Sequence, residues 1–260
     1  MANAKFTVDT HLFRELGELL VGRNSTALIE LIKNAYDADA TRVTVDGRLL
    51  SDSKRGTIVV IDDGVGMNEQ QFRDGFLKIA SRMKDSGNRK SFRFRRRYTG
   101  AKGIGRLAAH KLAQLITVSS YPDPDAFKND YRSIEASIDW EQIENCLTFD
   151  DVEASGAVEL KSIENSAKPK IGTVVRLTKL RKKWTEKDLV QFQSEVESFR
   201  PPNVFLDVPV ELLADEPLFN RPKIAEVGND DPGIAFELTG EFNTGEDYWP
   251  VLSGGADWLI

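Results

Sequence analysis

Apolar residues recur along the chain with two different periods, and the alternation between them outlines a mixed α/β protein. Residues 11–21 and 25–38 carry apolar positions at helical spacing, and Asn24-Ser25-Thr26 supplies side chains suited to capping the second helix. Thr41 to Asp46 alternates as a half-buried strand does, and Thr57 to Ile61 is a continuous apolar strand ending at Asp62. A short helix is expected from Asn68 through Leu77. Ser81 to Thr99 is polar, basic and without sustained period, so it is expected to be a long mobile loop, and such loops inside compact domains are usually functional. Helical spacing returns from Gly105 to Leu115. Strands are expected near 116–121, 131–138, 146–149 and 171–178, and a helix from Glu186 to Phe199 is stopped by Pro201-Pro202. Without a regular strand-helix-strand repeat, this order favours a two-layer α/β sandwich over a doubly wound parallel sheet.

Composition narrows the class. The 260 residues suffice for one large domain, or one of ordinary size with part of another, and 40% hydrophobic with 29% charged residues suits a soluble globular protein. No apolar run approaches the roughly 20 residues that span a bilayer, so no membrane partner is expected. The start, Met1-Ala2-Asn3-Ala4-Lys5, is unlike a signal peptide, and the single cysteine, Cys146, excludes an internal disulfide or a cysteine metal cluster. A cytoplasmic address is therefore expected. The net charge of -6 argues against the whole chain being a nucleic-acid coat.

Three short motifs carry candidate chemistry. In Glu30-Leu31-Ile32-Lys33-Asn34-Ala35-Tyr36-Asp37-Ala38, the residues Glu30, Asn34 and Asp37 share one helical stripe, while Leu28, Leu31, Ile32 and Ala35 cover the opposite side. The stripe is either a plain solvated face or one on which Asn34 offers an oxygen to Mg²⁺ and Glu30 holds an attacking water. In Asp62-Asp63-Gly64-Val65-Gly66-Met67, the glycines allow a tight turn against a flat ligand. The Asp62 carboxylate, an acceptor only, suits the exocyclic amino group of adenine and opposes the oxygen of guanine, although an ordinary Asp/Gly turn is spelled the same way. In Gly100-Ala101-Lys102-Gly103-Ile104-Gly105-Arg106, glycines open a helix whose free N–H groups and dipole favour phosphate, with Lys102 and Arg106 adding charge or merely solvated. This loop is neither a Walker A motif nor a dinucleotide fingerprint, and a glycine-rich turn before an ordinary helix is its alternative. Gly172-Thr173 lies on a later strand. Arg89-Lys90-Ser91-Phe92-Arg93-Phe94-Arg95-Arg96-Arg97-Tyr98 is basic with interleaved aromatics, a pattern that serves nucleic acid, a ligand-ordered loop or plain solvation.

In this order and spacing the motifs resemble the GHKL ATPases: gyrase B subunits, the ninety-kilodalton heat-shock chaperones, sensor histidine kinases and MutL. The resemblance covers roughly residues 10–200. It implies a GHKL ATP-binding domain over residues 1–200, with a mixed, mostly antiparallel sheet and helices on one face. ATP and Mg²⁺ are the implied cofactors. Glu30 matches the general base and Asn34 the metal ligand, with Asp37 closing the first motif. Asp62 matches the adenine reader, Gly64, Gly66 and Met67 line the base, and Thr173 shares a water with Asp62. Gly100, Lys102, Gly103, Ile104, Gly105 and Arg106 match the phosphate loop. Ser81 to Thr99 matches the ATP lid, with Ser81 and Lys84 as hinge contacts. Residues 201–260, ending in Trp258-Leu259-Ile260, are left unassigned: the start of a transducer-like domain or a truncated tail, in which Lys223 is the lone lysine and no motif marks it.

Hydrolysis driving lid closure and an ATP-dependent homodimer is the implied activity. The loop spelling looks most like prokaryotic chaperone-like and MORC-like members, some with roles in genome maintenance or phage defence. A non-hydrolysing ATP-gated module is the alternative. Phosphotransfer of the histidine-kinase type fits less well, because Glu30 is present and the two histidines are His11 and His110, with His11 too close to the ATP motifs for a preceding dimerising hairpin.

Overall fold

The computed structural model describes residues 8–12, 14–15, 22–77, 91–94, 98, 105–128, 130–163 and 171–197, and strands at 223–226 and 232–239; at 105–107, 197 and those two strands it describes backbone alone. The described elements are α1 (Asn24–Asp37), β1 (Arg42–Arg48), β2 (Thr57–Asp62), α2 (Glu69–Phe72) running into a π-helical turn (Arg73–Leu77), α3 (Gly105–Leu112), β3 (Ala113–Tyr121), β4 (Ser133–Asp139), α4 (Trp140–Asn145), α5 (Phe149–Ser155), β5 (Val158–Ile163), β6 (Gly172–Leu180), α6 (Glu186–Glu197), β7 (Lys223–Glu226) and β8 (Pro232–Thr239).

The strands form one sheet in the order β5-β4-β3-β6-β2-β1-β8-β7, with every neighbouring pair antiparallel. The period-two pattern explains why one face is covered. Val43 and Val45 of β1, Ile58 and Val60 of β2, Ile116 and Val118 of β3, and Ile134, Ala136 and Ile138 of β4 are buried, while the residues between them retain exposure. α1 packs on α3 and α6 above this face, and Leu28, Ile32, Ala108, Leu112 and Phe192 join the strands in one core. Each large side chain buried there contributes about 1.5–3 kcal/mol relative to exposure. The result is a two-layer α/β sandwich. β8 pairs with β1, so two strands from the chain's last sixty residues extend the same sheet.

β2 runs where expected, with Val59 and Ile61 partly exposed. Several other expected elements differ. α1 begins at Asn24 with Arg23, whose side chain has no acceptor, at its N-cap position, and Ser25 Oγ inside the first turn donates to Glu195 Oε1 of α6 at 3.1 Å. The helix expected over Gly105–Leu115 stops at Leu112, and Ala113 enters β3 opposite Leu180. The strand expected near 146–149 is instead the entry to α5, where Asp151 Oδ2 accepts from the Thr148 amide and hydroxyl at 2.9 and 2.8 Å; Thr148 keeps one isolated bridge to Asp9. α4, whose first turn is capped by Asp139 Oδ1, and β5 were not anticipated. Residues 11–12 and 14–15 are helical, and the rest of the expected 11–21 helix lies outside the described residues.

Candidate nucleotide site

Three adjacent strands end their buried rows in polar residues at the same end of the sheet. On β2 the row runs Ile58, Val60, Asp62; on β6, Leu177, Val175, Thr173; on β3, Ile116, Val118, Ser120. Asp62 pairs with Thr173, and Thr173 with Ser120, so the three side chains form one line across β2, β6 and β3 on the helix-covered face. Adjacent strands lie about 4.8 Å apart, so the line spans about 10 Å, the width of a purine base with room at its edge. Ser120 Oγ lies 3.1 Å from Thr173 Oγ1 and accepts from the Met67 amide at 2.8 Å.

The turn after β2 closes over this row. Asp62 Oδ1 accepts from the Gly64 amide at 2.9 Å. A Cβ at Gly64 would lie 2.6 Å from the Ala38 carbonyl oxygen, and one at Gly66, whose φ is +68°, would lie 2.5 Å from that of Tyr121. Gly64 is therefore required by backbone contact, and Gly66 by backbone contact and by its left-handed conformation. Burial pushes the Asp62 carboxyl up to about 7, further than the Gly64 amide pulls it down; the charge of Asp63 adds to the rise and the Thr173 amide opposes it. Asp63 itself is structural, its two oxygens accepting from the Thr41 and Arg42 amides and the Thr41 hydroxyl at 2.6–2.8 Å, which binds the end of β2 to the start of β1.

α1 reaches the same turn. Its C-terminal Ala38 carbonyl accepts from the Val65 amide at 2.7 Å. On its outer face Glu30 is partly buried and ion-paired with Lys33 at 2.7 Å, and Asn34 is exposed. Asp37, expected on the same open stripe, is buried instead, only 7% exposed, because the helix end tucks under the following turn. The Tyr98 hydroxyl is held above its usual range by burial and by the charges of Asp37 and Asp39, so Tyr98 sits near both.

The segment between the second and third motifs is held at one point that periodicity did not reveal. Asp39, fully buried with φ at 63°, accepts from the Arg93 amide at 2.6 Å and the Phe94 amide at 3.3 Å. The Arg93 guanidinium donates to Asp123 Oδ2 from Nε at 3.0 Å and Nη2 at 2.6 Å. Asp123 in turn donates its amide to the Val65 carbonyl at 2.8 Å, so Arg93 is fastened to the Gly64–Gly66 turn from two sides. This commits one cation of the basic run to the protein. Of the phosphate loop, Gly105 and Arg106 open α3, while Gly100, Lys102, Gly103 and Ile104 lie outside the described residues, as do Ser81 and Lys84.

Ser120, Asp39 and Asp123 are the polar residues that motif spacing missed. A signal for Ser120 exists, since it continues the inward row of Ile116 and Val118 and a polar residue on a buried row needs a reason.

Among the described residues no group of three or more His, Cys, Asp or Glu side chains is placed to hold a metal ion. Asn34, exposed one turn beyond Glu30, is a single hard oxygen donor, which fits Mg²⁺ carried mainly by phosphate oxygens and water. The Asp62–Thr173–Ser120 row, with a carboxyl acceptor and polar groups at the edge of an apolar core, fits a purine nucleotide.

Residues 23–173 match the family of Histidine kinase-, DNA gyrase B-, and HSP90-like ATPases, and the chain belongs to that family. Membership supports ATP as its ligand. A stretch of 96 residues is 36% identical to the putative type II restriction enzyme HgiDII of Herpetosiphon aurantiacus, covering 36% of this chain and 14% of that protein. The chain thus matches a small part of that longer relative. Among the described residues no helix is long and apolar enough to cross a membrane.

Proposed function

We propose that the chain binds Mg²⁺-ATP and hydrolyses it, using closure of the 81–99 segment to drive a conformational or dimerisation switch. The observation that carries this is the hydrogen bond from the Val65 amide to the Ala38 carbonyl at 2.7 Å, which joins the helix bearing Glu30 and Asn34 to the turn bearing Asp62. Asp62 accepts from the adenine amino group, with Gly64, Gly66 and Met67 along the base and Thr173 beside Asp62. The N-terminus of α3, with Gly100 to Arg106, receives phosphates. Asn34 supplies one oxygen to Mg²⁺, Asp37 supports the end of α1, and Glu30 activates water for attack on the terminal phosphate.

The ATP-binding domain is proposed to span residues 1–200, with 201–260 the start of a further transducer-like unit, of which β8 pairs with β1 and β7 with β8. A chaperone-like or MORC-like role in genome maintenance or phage defence, in the cytoplasm, is the biological setting proposed. The restriction-enzyme relative supports including DNA among candidate partners. The alternative, an ATP-gated module that binds without hydrolysing, is opposed by the presence of Glu30 on α1. ATP turnover measured with Mg²⁺ and with chelator, with and without DNA, separates the two, and mass measured with a non-hydrolysable analogue tests the dimer. Tight ATP binding with no turnover under any of these conditions overturns the hydrolytic proposal.

A further inference from the structure

We propose that Ser120 sets which nucleobase edge the site accepts, by fixing the direction in which the Thr173 hydroxyl points its proton. The inference rests on Asp62 and Thr173 facing the base, as proposed above.

Ser120 is fully buried on β3, directly opposite Thr173 of β6. Its Oγ accepts from the Met67 amide at 2.8 Å and lies 3.1 Å from Thr173 Oγ1. An amide N–H only donates, so this contact uses a lone pair of Ser120 and leaves its proton to be placed elsewhere. Among the described residues, the side-chain acceptor within reach is Thr173 Oγ1. Were Thr173 the donor instead, the Ser120 proton would be buried without an acceptor, and such groups are strongly disfavoured. The relay therefore runs one way, from the Met67 N–H to Ser120 and from Ser120 to Thr173.

Thr173 then holds one proton that the relay does not consume. Its hydroxyl makes no other hydrogen bond among the described residues, and it stands opposite Asp62 across β2 and β6. A ligand edge lying on this pair meets an acceptor at Asp62 and a donor at Thr173. Adenine presents the complement, an amino group beside ring nitrogen N1, which accepts. Guanine and hypoxanthine present the inverse, a carbonyl beside an N–H. A water placed between Thr173 and the base passes on the same polarity, because it receives one proton and donates another. The amide that starts the relay is itself aimed by the left-handed Gly66 turn against Tyr121.

Ser120 is thus a positioning residue for base recognition, and its test needs a readout that general destabilisation does not move. Binding of ATP is compared with that of 1-deaza-ATP, in which N1 is replaced by C–H, for the wild type, Ser120→Ala and the near-isosteric Thr173→Val. The wild type should prefer ATP by about three- to tenfold, the range of one neutral hydrogen bond. Both variants should bring the ratio close to one by weakening ATP more than the deaza analogue. If Ser120→Ala folds poorly, Ser120→Cys, close in size but a weaker donor, is measured in its place, while Thr173→Val tests only the Thr173 step. A wild-type ratio near one, or an unchanged ratio in either folded variant, overturns the proposal. A GTP arm and Asp62→Asn distinguish the causes: equal ATP and GTP binding unaffected by Asp62→Asn removes the base-site assignment itself, whereas Asp62-dependent ATP preference with indifference to N1 removes Ser120 alone.

Discussion

Lys33 Nζ lies 2.7 Å from Glu30 Oε1, one turn along α1, and the two side chains are 13% and 26% exposed. The pair holds the proposed general base at the surface of the helix in one orientation. Glu30→Gln is expected to keep ATP affinity and lose about 10²- to 10⁴-fold in turnover, the usual effect of removing a general base. Lys33→Met should lower turnover less and change stability by no more than about 1 kcal/mol, as for other partly solvated pairs. Phosphate release beside analogue titration checks both, and unchanged turnover in Glu30→Gln refutes the assignment.

The Asp62 carboxyl, raised from 3.8 to about 7, predicts opposite effects of pH on folding and on binding. At low pH it is protonated in folded and unfolded chains alike, and its stabilising contribution is complete. As pH rises through about 7, the unfolded chain has already ionised while the fold resists doing so, and that contribution is lost. Binding needs the carboxylate, so ATP affinity should instead increase from about pH 6 to about pH 8. Asp62→Asn should flatten both profiles and weaken ATP by about 1.5–3 kcal/mol, the worth of a hydrogen bond to a charged group. Subtracting the variant's titration from the wild type's cancels ionisation of the nucleotide phosphates. A difference curve with no step sinks the prediction.

Gly172 has φ at 129°, and a Cβ there would overlap the Asp62 carbonyl oxygen. Gly172→Ala should therefore destabilise by at least about 1–3 kcal/mol and displace Thr173 from Asp62, weakening ATP binding as well. Gly75, in the π-helical turn, has nothing within 4 Å of its missing Cβ. Gly75→Ala should be neutral or stabilising by up to about 1 kcal/mol. Urea unfolding of the two variants side by side tells a specific backbone requirement from general intolerance.

The attachment of Arg93 to Asp39 and Asp123 predicts uneven exchange in the segment between the second and third motifs. Without nucleotide, the Arg93 and Phe94 amides should exchange more slowly than the rest of residues 81–99. Asp39→Asn, which keeps a residue tolerant of left-handed φ, should speed them. ATP with Mg²⁺ should then protect the remainder of the segment, as phosphate contacts offset its ordering entropy. Identical exchange with and without a non-hydrolysable analogue would argue against an ATP-gated lid, and salt-dependent DNA binding would then test the basic run as a permanent contact.

Local periodicity determined the elements that are long enough to show it. α1, with Leu28, Leu31, Ile32 and Ala35 inside, and β1, with Val43 and Val45 inside, lie where spacing alone put them. The turn after Asp62 was also legible as a turn, because close backbone approach demands glycine at Gly64 and Gly66. Short elements were not legible: α4 and α5, of 6 and 7 residues, span under two turns and leave too little period to read, and Thr148 looked like strand because its capping role depends on Asp151. What only the tertiary structure decided is which polar residues face one another. Ser120 and Thr173 are 53 residues apart, and Arg93 and Asp39 are 54 apart, so their pairing is set by sheet register and by the return of the chain to the Gly64–Gly66 turn. No local spacing encodes such contacts, since they arise when antiparallel strands bring their buried rows into line and every buried donor there must find an acceptor.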